Sequence, residues 1–261
     1  MITHMMINTT GSTTINMSMA MTISTTDSVV VDTTLAAASP LSDMGLIRLM
    51  QLCSVSLPVG GYAFSQGMEY AIDAGWITKA PQVSQWVNEQ LQQSLSATDL
   101  PVLRRCMAAI ASGDLAELVR LNDLLLACRE TRELRLTDTA MGEALHRLLT
   151  SLGFELPFAK SEPVSFVCLF ALAAGEWGIP YRSAALGFLW SWLENQIAAA
   201  TKLVPLGQTQ AQQLLGELQP ALQRALEYAD TLDDDEIGAG LPALAIASSQ
   251  HEHMYSRLFR S

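Results

Sequence analysis

Apolar residues recur every three or four positions along nearly the whole chain after position 41, and this restricts the fold more than any other feature. Leu46, Ile47, Leu49, Met50 and Cys53 share one side of a helix, as do Val83, Trp86, Val87, Leu91 and Leu95 further on. Period-two alternation is never sustained and β-branched residues are sparse, so strands are not expected. Turn signals cut the pattern into pieces. Gly75, Gly113 and Gly153 end helices; Pro81 and Pro101 fall near helix starts, with Asp99 and Asp114 as caps. Further helices are expected over 134–152, 183–204, 208–228 with a break or bend at Pro220, and 242–255. The apolar run 164–174 stops before Glu176 and Gly178-Ile179-Pro180, well short of the roughly 20 residues of a bilayer span. It reads as a buried core helix. The expectation is an all-α bundle of about nine or ten helices over 42–261, without significant sheet.

Residues 1–41 differ in character. They are rich in Met, Thr and Ser and contain no Lys or Arg. A signal peptide needs a basic start and an unbroken apolar run, and a transit peptide needs arginine. The segment is expected to be a disordered or poorly ordered extension. The 261-residue chain carries a formal net charge of -11, which argues against nucleic acid as a partner because phosphate contacts need clustered Lys and Arg. Cys53, Cys106, Cys128 and Cys168 are widely spaced and read as reduced thiols in a reducing compartment.

The most unusual stretch is 56–69, Ser-Leu-Pro-Val-Gly-Gly-Tyr-Ala-Phe-Ser-Gln-Gly-Met-Glu. Pro58 stops a preceding helix, and the Gly60-Gly61 pair permits a tight bend beside Tyr62 and Phe64. It is not a phosphate loop, since no lysine lies between Ser56 and Ala74. It also lacks the Gly-x-Gly of a dinucleotide fold and the first glycine of a serine elbow. A helix–loop–helix corner and a binding surface both remain open.

Other candidates weigh similarly. Arg129, Arg132 and Arg135 form a basic stripe on one helix, with Glu130 and Glu133 interleaved as a solvated ion-pair face or an anion site. Lys202, in apolar surroundings, snorkels or meets a partner. The acidic run 230–236 lacks the spacing of a magnesium–diphosphate motif and reads as solvated loop charge. His251 and His253 are two apart, so they face different sides of a helix and cannot chelate together. The tail Tyr255-Ser-Arg-Leu-Phe-Arg-Ser261 mixes aromatics with arginine, a composition suited to docking on a protein surface. No catalytic, cofactor or metal constellation emerges, which favours an interaction protein over an enzyme. Two rivals stay open: an all-α enzyme with a small-molecule or diphosphate pocket, and a direct metal-binding protein.

Four segments together resemble the urease accessory protein UreF family. They are residues 56–69 with Ala74-Gly-Trp76; Thr131-Arg-Glu-Leu-Arg135 with Met141-Gly142; Leu203-Val-Pro-Leu-Gly-Gln-Thr209; and His251-Glu252 with the tail to Ser261. His253-Met254 within the last segment and the extension before 41 depart from the family pattern. The resemblance implies an all-helical, cytoplasmic, dimeric chaperone that is not an enzyme. Such a protein joins UreD (also called UreH) and recruits the GTPase UreG to apo-urease for nickel insertion. Nickel is then handled by the complex and GTP is bound by UreG, with no cofactor held stably by this chain. Modulation of GTP hydrolysis, or the lining of a nickel passage, is also implied. No nucleic acid or membrane partner is. On this resemblance Gly60, Gly61, Tyr62 and Arg257 face UreG, with Arg132, Lys202, His251 and Tyr255 as secondary candidates.

Overall fold

The computed structural model describes residues 40–261; the extension expected to be disordered lies outside them, apart from its last two positions. The described residues form ten α-helices and no strand. They are α1 (Asp43–Leu52), α2 (Met68–Asp73), α3 (Ala80–Glu89), α4 (Leu100–Ser112), α5 (Leu115–Ala127), α6 (Arg132–Ser151), α7 (Phe166–Glu176), α8 (Tyr181–Leu203), α9 (Gln208–Ala229) and α10 (Pro242–His251). The all-α expectation therefore holds.

Boundaries follow local chemistry where a cap is present. Ser42, Asp114, Thr131 and Ser165 accept hydrogen bonds from the first-turn amides of Gly45, Glu117, Leu134 and Val167. Asp99 departs from expectation. It caps nothing, because α3 runs through a π-wound segment, Gln90–Asp99, straight into α4. With helix on both sides its amide neighbours are already paired, and its carboxylate turns to Arg129 instead. Pro220 likewise sits inside a continuous α9. The last helix stops at His251, earlier than the apolar pattern suggests, because the tail leaves to form other contacts.

The centre of the bundle is α7. Phe166 to Ala174 are all buried, as expected for a helix that is apolar on every side. It packs against α1, α4, α5, α6 and α8. Its N-terminus is anchored from α6, where Asp138 accepts hydrogen bonds from Phe166 N (2.8 Å) and Ser165 Oγ (2.9 Å). A carboxylate at that position satisfies an otherwise orphan amide and complements the helix dipole.

Gly142 lets α6 approach this junction. A Cβ built there would lie 1.9 Å from Val164 O, a main-chain atom that cannot swing aside. Gly216, at an exposed position of α9, has nothing within 4 Å of its Cβ position. Alanine at either site gains roughly 1 kcal/mol of helix propensity, so the surroundings decide the sign. Gly142→Ala is expected to lower stability by about 3 kcal/mol or more. Gly216→Ala is expected to raise it by up to about 1 kcal/mol. Urea midpoints of the two variants, measured side by side, check both.

Candidate functional site

The C-terminal tail folds back onto the Gly-rich corner. Gly60 and Gly67 take left-handed angles (φ 72° and 80°), and Gln66 does so as well (φ 50°), the sole non-glycine with positive φ among the described residues. A short 3₁₀ turn, Gly61–Ala63, lies between them. Gly67 also permits close contact with α10, since a Cβ there would lie 3.1 Å from Ser248 N. The main-chain oxygen of Ser261 accepts hydrogen bonds from Ser65 N (2.6 Å), Gln66 N (3.1 Å) and Ser65 Oγ (3.0 Å). Arg260 N donates to Ala63 O at 2.9 Å. The Ser261 hydroxyl meets that of Thr137 on α6.

Beneath the tail lies a buried chain of charges. Glu69 on α2 accepts from Leu258 N (2.6 Å), Phe259 N (3.0 Å) and His251 Nε2 (2.9 Å). The other ring nitrogen, His251 Nδ1, lies 2.8 Å from Glu133 on α6. Glu133 also accepts from Arg257 Nη1 at 2.9 Å. His251 is 0% exposed and both glutamates are buried. With a carboxylate on each side, the imidazole makes both hydrogen bonds as a donor only when both nitrogens carry protons.

The sequence candidates divide around this arrangement. Tyr62 is 59% exposed at the corner, and Tyr255 is fully exposed at the start of the tail. Arg257 is exposed but held by Glu133. Lys202 meets the tail of its own chain, with Nζ 5.3 Å from the Phe259 ring. Arg260 lies over Phe64 at 5.4 Å. Gly61 abuts α8 next to Asn195, whereas Gly60 faces open space.

The basic stripe is not formed. Thr131 caps α6, so Arg129 precedes the helix and is half-buried; Arg135 donates to Leu126 O; Arg132 is exposed, 3.5 Å from Glu252. Glu133, expected on a solvated face, is buried under the tail. The acidic run is partly neutralised instead of merely solvated, since Arg105 pairs with Asp234 and Arg104 and Arg182 approach Asp230. Among the described residues no group of three or more His, Cys, Asp or Glu is arranged to hold a metal ion.

Sequence reasoning missed Glu69, Glu133, Ser65 and Thr137 as the residues that receive the tail. A signal for two of them exists. Stepping back in fours along α6 from the buried Leu149 and Leu145 leads through Met141 to Thr137 and Glu133, so both polar residues lie on the core-facing stripe.

A second charge cluster, with Asp99 and Asp138 buried, lines a partly open cavity of about 90 Å³. Arg129 donates to Asp99 at 2.7 and 3.1 Å and to Asp138 at 2.9 Å. Burial alone would push its guanidinium down; Asp138 and Asp99 outweigh this and hold it above the usual range. Gln196 points a buried, unpaired Oε1 toward the same neighbourhood. Two thiols are held away from the reactive thiolate form: burial and Glu194 push Cys53 up to about 12, and burial raises Cys128 as well.

Fold and tail together define an all-helical protein whose C-terminal segment is clasped into its own surface. A sequence model described as UreF matches residues 77–219. The "Urease accessory protein UreF" of Marinomonas sp. (strain MWYL1) is 62% identical over 220 residues, 84% of this chain and 96% of that relative. Proteins with the same name from Teredinibacter turnerae and Alkalilimnicola ehrlichii are 50% and 47% identical, covering 83% and 82% of this chain and 98% and 95% of theirs. The chain belongs to the UreF family, a family of urease accessory proteins and not of enzymes.

Removing Arg129 leaves two buried carboxylates facing each other. Arg129→Ala is expected to cost about 3–5 kcal/mol, read as a fall in the urea midpoint with the slope unchanged.

Proposed function

We propose that this chain is a urease maturation chaperone, a cytoplasmic helical scaffold that joins UreD/UreH and recruits the GTPase UreG to apo-urease for GTP-dependent nickel insertion. Family membership supports the maturation role. The observation that carries the finer reading is convergence. Four segments far apart in the sequence meet around one docked tail: Glu69 from the corner, Glu133 from α6, Lys202 from the end of α8, and His251 with residues 257–261. Tyr62, Tyr255 and Leu258 are exposed in and around these segments, as are Arg257, Arg260, Arg132 and Lys202. Aromatic and arginine anchors of this kind concentrate binding energy.

In this reading UreG supplies the GTP site and the complex handles the nickel, while this chain contributes shape and anchors. No helix among the described residues is long and apolar enough to cross a membrane. A second copy of the chain is the proposed occupant of a different face, where α1 and α8 expose Met44, Ile47, Met50 and Leu186 around a groove walled by Leu49, Cys53 and Trp190. Burying that many apolar side chains favours association of like with like. Met50→Glu with Leu186→Glu is expected to yield a monomer by sedimentation, with the helical circular dichroism retained.

Reconstitution tests the main proposal. Apo-urease, UreD, UreG, nickel, bicarbonate and GTP are expected to yield active urease only when this chain is added. Equal activity without it overturns the proposal. Tyr62→Ala and Arg257→Ala are each expected to weaken capture of UreG by the complex with UreD about 30-fold, corresponding to roughly 2 kcal/mol per anchor.

A further inference from the structure

Among the described residues, Glu69 is the one side chain that hydrogen-bonds both the tail's main chain and the buried histidine. We infer that Glu69 is a positioning residue: it clasps the tail through two successive main-chain amides and thereby assembles the surface that carries Tyr62 and Arg257. The inference rests on the proposed use of that surface for partner recruitment.

The argument begins with what each group needs. A carboxylate taken out of water is tolerated only when its oxygens are filled with donors. Glu69 has three, and two of them, Leu258 N and Phe259 N, exist at that place only while the tail is docked. The third, His251 Nε2, ties Glu69 to Glu133, which in turn holds Arg257. The orientation of Arg257 is thus set from the far side of a buried ring.

The corner depends on the same closure. Gln66 holds a left-handed conformation that is unfavourable for a residue with a side chain. In it, the Gln66 amide reaches Ser261 O, and its side-chain oxygen accepts from Trp192 Nε1 at 2.9 Å. Without Ser261 O, the amides of Ser65 and Gln66 lose their acceptor. Tail and corner therefore form one unit, closed by two acceptors with three donors each, Glu69 and the main-chain oxygen of Ser261. Its carboxylate is buried, so it acts on a partner only through the residues it positions.

Amide hydrogen exchange of the full-length chain tests the clasp without any partner. In wild type, the amides of Leu258 and Phe259 are expected to be protected. Glu69→Ala should speed their exchange at least 10-fold, leave α4 and α7 as protected as before, and leave the helical circular dichroism intact. Glu69→Gln retains one carbonyl acceptor and should fall between, which separates loss of the clasp from general loosening. It also serves as the test variant should Glu69→Ala fail to fold. Unchanged exchange of 258 and 259 in both variants overturns the inference.

Capture of UreG with UreD is then measured on the same variants. It should fall in the order of tail release, wild type strongest and Glu69→Ala weakest. Released tails with undiminished capture overturn the positioning role. A wild-type chain that captures nothing overturns the proposed function, and the clasp is then decided by exchange alone.

Discussion

An imidazole buried between two glutamates is the constraint to which much of this molecule answers. His251 and its partners Glu69 and Glu133 lie on α10, α2 and α6, and all three are withdrawn from water. Uncompensated, each buried carboxylate costs several kcal/mol, more than a typical surface contact returns. Compensation comes from the ring, from Arg257 and from the amides of Leu258 and Phe259. Three of these four groups belong to the tail. The docked tail is therefore required by the electrostatics of the interior and is no optional ornament on a finished bundle.

The second buried charge system shares a helix with the first. Asp138 lies five residues after Glu133 on α6, and it fixes the start of α7 while pairing with Arg129. Helix α6 thus holds the tail from its first turn and the central helix from its second. Its buried stripe then becomes apolar at Leu145 and Leu149. The polar end of the stripe is stable because every carboxylate on it has found donors, as buried polar networks demand. Gly142 brings the helix close enough to Val164 for the Asp138 bonds to reach.

Periodicity was enough to read most helices, because a core-facing stripe is a local property of sequence. The buried α7 follows directly from it, and the capped start of α5 from Asp114. Asp99 shows its limit: an Asp before Leu-Pro has the local form of a cap, but the preceding helix never ends and the carboxylate is claimed by a residue thirty positions on. The basic stripe failed for a related reason. Whether Arg129 and Arg132 share a helix turns on Thr131 acting as cap, and a buried Asp pair elsewhere in the chain draws Arg129 inward. At the candidate site the exposed members, Tyr62, Tyr255 and Arg257, were legible as composition suited to recognition. Glu69 and Glu133 were not, since an acid on an amphipathic helix reads as solvent-facing until its long-range donors are known.

The way the tail is held also explains how it can serve recognition. Glu69 binds main-chain amides, Ser261 offers a main-chain oxygen, and Arg260 N meets a main-chain carbonyl. Of the side chains from 255 to 260 only Phe259 is buried deeply, and it carries Lys202 above its ring. Tyr255 and Leu258 are left facing outward, and Arg257 and Arg260 are steadied without being covered. A segment anchored through its backbone keeps its side chains available, and an anchored side chain loses less entropy when a partner closes over it. The glycines of the corner act in the same sense. They make room for α10 and for the bend, not for a phosphate, and Tyr62 is set beside a tail whose course is already fixed.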